Sequence, residues 1–215
     1  MKTLAIIATT VFMIIAIVLF WYFNNQTLQK TQLNNEQLGY ALISNTDETK
    51  KYTKPQITEY FWYGCEHCYN FLPKINQWKK TNHTKVDIEL LPAAINPDMI
   101  DHARAYFAAV DLGVLDKFHD AMFDAIHKKK QKLYNMQDIA NFAATLGIDK
   151  QKFIAAMQSP ATEKRILRVN DMIVTQDITQ TPALVLNNSY RINSNLAGGH
   201  NNMIRVLNNL IKEEN

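Results

Sequence analysis

Two cysteines lie three positions apart in the run Cys65, Glu66, His67, Cys68, directly after the apolar stretch Ile57 to Tyr63, and they are the only cysteines in the chain. Sulfurs at this spacing can close a small disulfide ring and open it again, which is redox chemistry. If Ile57 to Phe61 is a buried strand and Tyr69 to Trp78 lies on a helix, Cys65 falls at the helix N-terminus. Unpaired backbone N–H groups and the helix dipole stabilise a thiolate there. Cys65 is then the exposed attacking or leaving sulfur, and Cys68, one turn further in, is the sheltered partner that resolves mixed disulfides. His67 places a potentially cationic donor beside the thiolate. A thiolate that is stable in the reduced form leaves easily, so such a pair favours handing its disulfide to another protein.

Other uses of the pair fit less well. Tetrahedral zinc takes about four ligands, no second cysteine pair exists, and His83, His102, His119, His127 and His200 are scattered without ligand spacing. No metal is expected, and no cofactor beyond the Cys65–Cys68 disulfide itself. A purely structural disulfide remains the plain alternative. The net charge of +3 comes from intermixed acids and bases, so no acidic partner is implied. The densest basic run, His127 to Lys132, follows Asp116, Asp120 and Asp124 and reads as a solvated helix end, so nucleic-acid binding is not expected.

The elements that position the pair begin at the N-terminus. Residues 4–23 are apolar or weakly polar, and at about 1.5 Å per residue they match a hydrocarbon core of about 30 Å. Phe20 to Gln26 offers no Ala, Gly or Ser for signal cleavage, so a retained transmembrane anchor over residues 1–23 is expected. Trp21, Tyr22 and Phe23 would lie at the far interface, and Lys2 would keep the N-terminus cytoplasmic. Everything beyond then faces the extracytoplasmic side of the inner membrane, the periplasm or its equivalent, where disulfides persist. Residues 24–51 read as a polar spacer; Leu28, Leu33, Leu38 and Leu42 form a sparse helical stripe that leaves a homodimer open.

The alternation of Val86, Ile88 and Leu90 with Asp87 and Glu89 predicts a second strand ended by Pro92. Strand, helix, strand with a right-handed crossover makes a parallel pair, with Cys65 at the carboxyl end of the first strand. Helical periods follow: Ile100 to Val110, stopped at Gly113; Leu115 to Ile126; a third bracketed by Asn135 and Gly147; a fourth opened by Asp149 and ending before Pro160; and a fifth carrying Ile166, Val169 and Ile173. Ala183 to Leu186 and Tyr190 to Ile192 make a hairpin around Asn187 and Asn188, which tolerate positive φ. A closing helix runs from Met203 to Ile211.

This order is that of an α/β thioredoxin fold whose first part covers 52–97, whose second part covers 177–215, and whose all-helical insertion covers 98–176. The stretch Glu59 to Tyr69, read with Thr181 to Asn187, resembles the DsbA family of disulfide oxidoreductases. The resemblance implies a nucleophile at Cys65, a resolving cysteine at Cys68, a thiolate-stabilising histidine at His67 and a cis-proline at Pro182. Thr181 would then offer its backbone to an extended substrate strand. Glu59 matches a buried acid behind the disulfide, where an apolar strand should raise its pKa and suit it to proton transfer. Glu66 stands where the family commonly has proline. Its charge opposes thiolate formation, which implies a milder oxidant.

The resemblance therefore implies an extracytoplasmic thiol oxidase that acts on reduced substrate proteins and is reoxidised by a DsbB-like membrane quinone reductase. An isomerase or reductase using the same site, dimeric through residues 24–51, is the second reading. A metal-handling or chaperone-like binding module is the third.

Overall fold

The computed structural model describes residues 13–26, 38–44 and 52–214. Residues 13–26 form a helix, α1, whose large apolar side chains from Met13 to Phe23 are exposed. Residues 4–12 of the expected membrane span lie outside the described residues. Among the described residues no helix is long and apolar enough to cross a membrane. Leu28 and Leu33 of the leucine stripe also lie outside them.

Five strands form one sheet: β1 (Ala41–Leu42), β2 (Gln56–Phe61), β3 (Asp87–Pro92), β4 (Ala183–Leu186) and β5 (Tyr190–Asn193), in the order β1-β5-β4-β2-β3. β2 and β3 run parallel, Gln56 opposite Asp87 through Phe61 opposite Pro92, and the remaining pairs are antiparallel. The strand–helix–strand crossover expected around the cysteines is present. Pro92 is the last residue of β3, opposite Phe61, so the strand ends there as expected; an edge strand permits proline because its outer side has no neighbour to lose a hydrogen bond. Asn187 and Asn188 turn the β4–β5 hairpin with φ of 51° and 54°.

The helix α2 (Glu66–Asn82) follows β2. Between β3 and β4 lie α3 (Pro97–Asp111), α4 (Leu115–His127), α5 (Met136–Thr145), α6 (Lys150–Met157) and α7 (Pro160–Thr175). Side-chain caps explain the starts of α5, α6 and α7. Asn135, Asp149 and Ser159 each accept a hydrogen bond from the N–H three residues on, at 3.0, 2.9 and 3.1 Å, and Pro160 occupies the first helical position, where its missing N–H costs nothing. The short α8 (Ser194–Ala197) and the closing α9 (His200–Glu213) complete the chain. The architecture is a thioredoxin fold with a helical insertion.

Two findings differ from the sequence reading. Residues 38–44, expected in the spacer, pack onto the fold: β1 pairs with β5, and Gly39 lies so close that a Cβ there would meet Val206 Cγ2 at 2.8 Å. Leu38 and Leu42 are exposed, so their value there is not core packing. The second concerns α2, which serves two cores. Cys68 and Leu72 join a large cluster built with the helical insertion, while Phe71, Ile75 and Trp78 join a second one with β4, β5 and α9.

Candidate active site

β2 ends at Phe61, and the chain turns through Trp62, Tyr63 and Gly64 into α2, with the Cys65 N–H donating to the Trp62 carbonyl at 3.0 Å. Cys65 is the N-cap of α2: its backbone is extended, at φ −85° and ψ 113°, and its sulfur accepts the Cys68 backbone N–H at 3.3 Å. Cysteine thus takes the place of the usual serine or aspartate cap. The helix-start position expected from sequence is met in this geometry. Gly64 is dictated by its neighbour. A Cβ there would lie 2.4 Å from Trp62 Cζ2, so the indole folds over the turn only because the side chain is absent.

Both cysteines are free, Cys65 half-buried and Cys68 buried. Their acidities diverge. The Cys65 thiol is pulled down to about 5, chiefly by the hydrogen bond from the Cys68 side chain; partial burial opposes this, and hydrogen bonds from the Thr181 side chain and from the backbones of Cys68 and His67 add to it. Burial pushes Cys68 well above an ordinary thiol, and its hydrogen bond to Cys65 pushes the same way. The Thr181–Pro182 peptide is cis, and the Thr181 carbonyl oxygen lies 3.3 Å from Cys65 Sγ. Cys65, Cys68, Thr181 and Pro182, 116 positions apart at the extremes that touch, are thereby brought to one point.

The other expected site residues sit further out. Glu66 is exposed in the first turn of α2. The His67 side chain is exposed and lies edge-on to His200, ring centroids 5.9 Å apart, while its backbone helps hold the Cys65 thiolate. Glu59 is buried on β2, opposite Leu90 and Leu184, and its carboxylate is ion-paired with Lys79 at 2.5 Å. The sequence reading gave Glu59 no such cation. A signal for it exists: Cys68, Leu72, Ile75 and Lys79 are spaced as one helical stripe, which carries Lys79 inward.

Three of the histidines whose sequence spacing shows no ligand set lie behind the turn. The buried His119 shares a 3.0 Å hydrogen bond with the Tyr63 hydroxyl, and burial pushes its pKa down to about 3. His102 Nε2 lies 2.6 Å from the Leu133 carbonyl, which requires that nitrogen to carry the proton. His127, assigned from sequence to a solvated basic run, instead donates from Nε2 to the Tyr63 carbonyl at 2.7 Å. Among the described residues no group of three or more His, Cys, Asp or Glu is placed to hold a metal ion.

This geometry, a thiolate at a helix start facing a cis-proline loop across from a buried thiol, is that of a dithiol exchange site. A family model described as the DSBA-like thioredoxin domain matches residues 56–204. The chain belongs to the DsbA-like family. The DsbA-like chain is 35% identical over 161 residues to the thiol:disulfide interchange protein DsbA of Azotobacter vinelandii, 75% of each being covered. To the Pseudomonas aeruginosa DsbA it is 31% identical over 175 residues, 81% of this chain and 83% of that one. A crystal structure of Pseudomonas aeruginosa DsbA superposes with a TM-score of 0.76, covering 82% of this chain and 92% of that one, and the oxidoreductase DsbA from Xylella fastidiosa with 0.75 at 28% identity, covering 82% and 95%. This DsbA-like protein is a thiol:disulfide oxidoreductase, and Cys65 and Cys68 are its redox pair.

Proposed function

We propose that the protein is a thiol oxidase that introduces disulfides into reduced substrate proteins. The catalytic domain is extracytoplasmic. The observation that carries the direction is the contrast between a Cys65 thiol lowered to about 5 and a buried Cys68 raised well above the ordinary range. A substrate thiolate attacks Cys65 Sγ of the oxidised pair. The substrate–Cys65 disulfide forms, the Cys65–Cys68 bond breaks, and Cys68 leaves and takes up a proton, as its raised pKa favours. A second substrate thiolate then attacks the substrate sulfur of the mixed disulfide. Cys65 departs as the stabilised thiolate, the substrate has lost two electrons and the protein has gained them. The Thr181 backbone, beside Cys65 in the cis-proline loop, lines up an extended substrate segment. Glu66 moderates the oxidising power, and Glu59 with Lys79 serves as a buried charged pair behind the site.

Reoxidation falls to a DsbB-like membrane quinone reductase. Residues 4–23 anchor the protein in the inner membrane; the exposed apolar side chains along α1 support this assignment. Alkaline extraction tests it: release of the full chain into the soluble fraction overturns anchoring.

The direction is tested by equilibrating the pair with glutathione. The expected potential is less negative than about −180 mV, and a value near about −270 mV, the thioredoxin range, overturns oxidase function. Linkage supplies a second readout. The Cys65 pKa falls from 9.0 in the unfolded chain to about 5 when folded, so its contribution to the reduced protein is present above 9.0 and lost as pH falls through about 5. The stability advantage of reduced over oxidised protein should shrink across that window. Cys68→Ser should accumulate mixed disulfides through Cys65 and lose turnover.

A further inference from the structure

The turn that delivers Cys65 contains an unused degree of freedom and a residue placed to remove it. Trp62 to Cys65 form a four-residue turn closed by the 3.0 Å hydrogen bond, with Tyr63 and Gly64 at its centre. Gly64 is not among the residues with positive φ, so the turn is not type II, which needs φ near +80° at its third position. Glycine is present for a different reason, the Trp62 indole 2.4 Å from where a Cβ would stand. Yet glycine is the residue that reaches the positive φ of a type II turn without steric penalty. Making room for the indole therefore leaves the Tyr63–Gly64 peptide free to flip between two turn types, immediately before the reactive sulfur.

We propose that His127 is a positioning residue that locks this peptide plane and thereby holds Cys65 in its exchange geometry. Its Nε2–H donates to the Tyr63 carbonyl at 2.7 Å. A flip would turn that carbonyl away and leave donor and acceptor both unpaired in a half-buried place, which hydrogen-bond accounting disfavours. His127 is itself held from outside the turn. Its ring stacks on Tyr69, centroids 5.0 Å apart at 17°, and the Tyr69 hydroxyl donates to Asp124 Oδ1 at 2.9 Å, one helical turn before His127 on α4. The helical insertion thus reaches across to the start of α2. With the peptide locked, Cys65 stays where Cys68 N and Thr181 O each lie 3.3 Å from its sulfur. With it released, part of the population loses that arrangement.

The inference rests on Cys65 being the exchanging sulfur. His127→Phe keeps the ring on Tyr69 and removes the donor; His127→Gln restores an N–H donor without the ring. The thiolate is followed by its ultraviolet absorbance against pH, with thermal unfolding measured beside it. His127→Phe should lower the thiolate fraction at a fixed pH below the midpoint about threefold, equivalent to about half a pKa unit. His127→Gln should recover most of that. Equal midpoints in all three proteins overturn the lock, and so does a fall in His127→Gln as deep as in His127→Phe, which would mean that only ring packing matters. Should His127→Phe not fold, the through-hydrogen-bond NMR coupling between His127 Nε2 and the Tyr63 carbonyl carbon in the unaltered protein decides, its absence overturning the lock. Cys65→Ser separates the two claims. Surviving exchange there overturns the site reading, whereas lost exchange with unchanged His127→Phe overturns the lock alone.

Discussion

The two cores that α2 joins are built from different materials. The cluster shared with the helical insertion is rich in rings: Phe61, Tyr63, Phe118 and Phe123 are all buried. Polar groups thread through it, with His119 bonded to Tyr63 and Tyr60 donating to Gln176 at 2.7 Å. The cluster between the sheet and α9 is mostly aliphatic, with Leu184, Leu186, Ile192, Val206, Leu207 and Leu210. Cys68 belongs to the first. A core crossed by hydrogen bonds fixes directions as well as distances, because each donor must meet its acceptor; an aliphatic core fixes distance and volume. The redox pair lies against the kind of core that can aim it, and the plainer one holds the scaffold together.

That contrast can be broken experimentally. Truncating the aliphatic side should be the most costly step: Leu207, fully buried, changed to Ala should lower unfolding free energy by about 2–5 kcal/mol. The Cys65 thiolate midpoint should stay in place, and a large movement of it would erase the distinction between the cores. Gly64→Ala attacks the ring-rich side at the turn. Its Cβ would press on the Trp62 indole, and overpacking of this kind costs about 1–3 kcal/mol; denaturant titration should show the loss, accompanied by a shifted Cys65 midpoint.

A smaller effect is expected from losing a remote cap. Ser159→Ala removes the 3.1 Å hydrogen bond that opens α7 and should cost about 1 kcal/mol with no change in exchange rate. The polar threading also carries a pH signature. His119 titrates at about 3 when folded and 6.5 when unfolded, so the unfolded chain gains a proton first as pH falls. Its contribution is full above 6.5 and lost progressively towards 3. His119→Phe should flatten that part of the denaturant-midpoint profile while leaving the neutral-pH value of the aliphatic side untouched.

Much of this was legible in the residues because local signals are strong where a helix starts or a chain turns. Asn135 and Asp149, which open two of the expected helices, bond to N–H groups only three residues away, and the Asn187–Asn188 hairpin follows from two adjacent residues that accept positive φ. β1 was not legible. A strand of two residues has no period to read, and it exists because β5 offers it an edge. Contacts across long separations were hidden for a related reason. The bond from His127 to Tyr63 joins positions 64 apart, and inside a run of lysines a histidine that turns inward looks the same as one that does not. Cys65 and Cys68 were legible because their type is rare and their spacing is chemically restrictive, Pro182 and Glu59 only through the resemblance to a family, and Lys79, the partner of Glu59, required the helix to be drawn first.

The outer strands of the sheet bear on a hazard peculiar to an enzyme that meets unfolded chains. Such clients present bare strands, and any long, flat edge would invite them to add on and aggregate. Here one border is the two-residue β1 and the other is β3, where Asp87 and Glu89 alternate with apolar residues and Pro92 ends the strand. Short length, charge and proline make both borders poor templates. A client strand is thereby discouraged from adhering along the sheet and left to approach the one place where its thiol can be used.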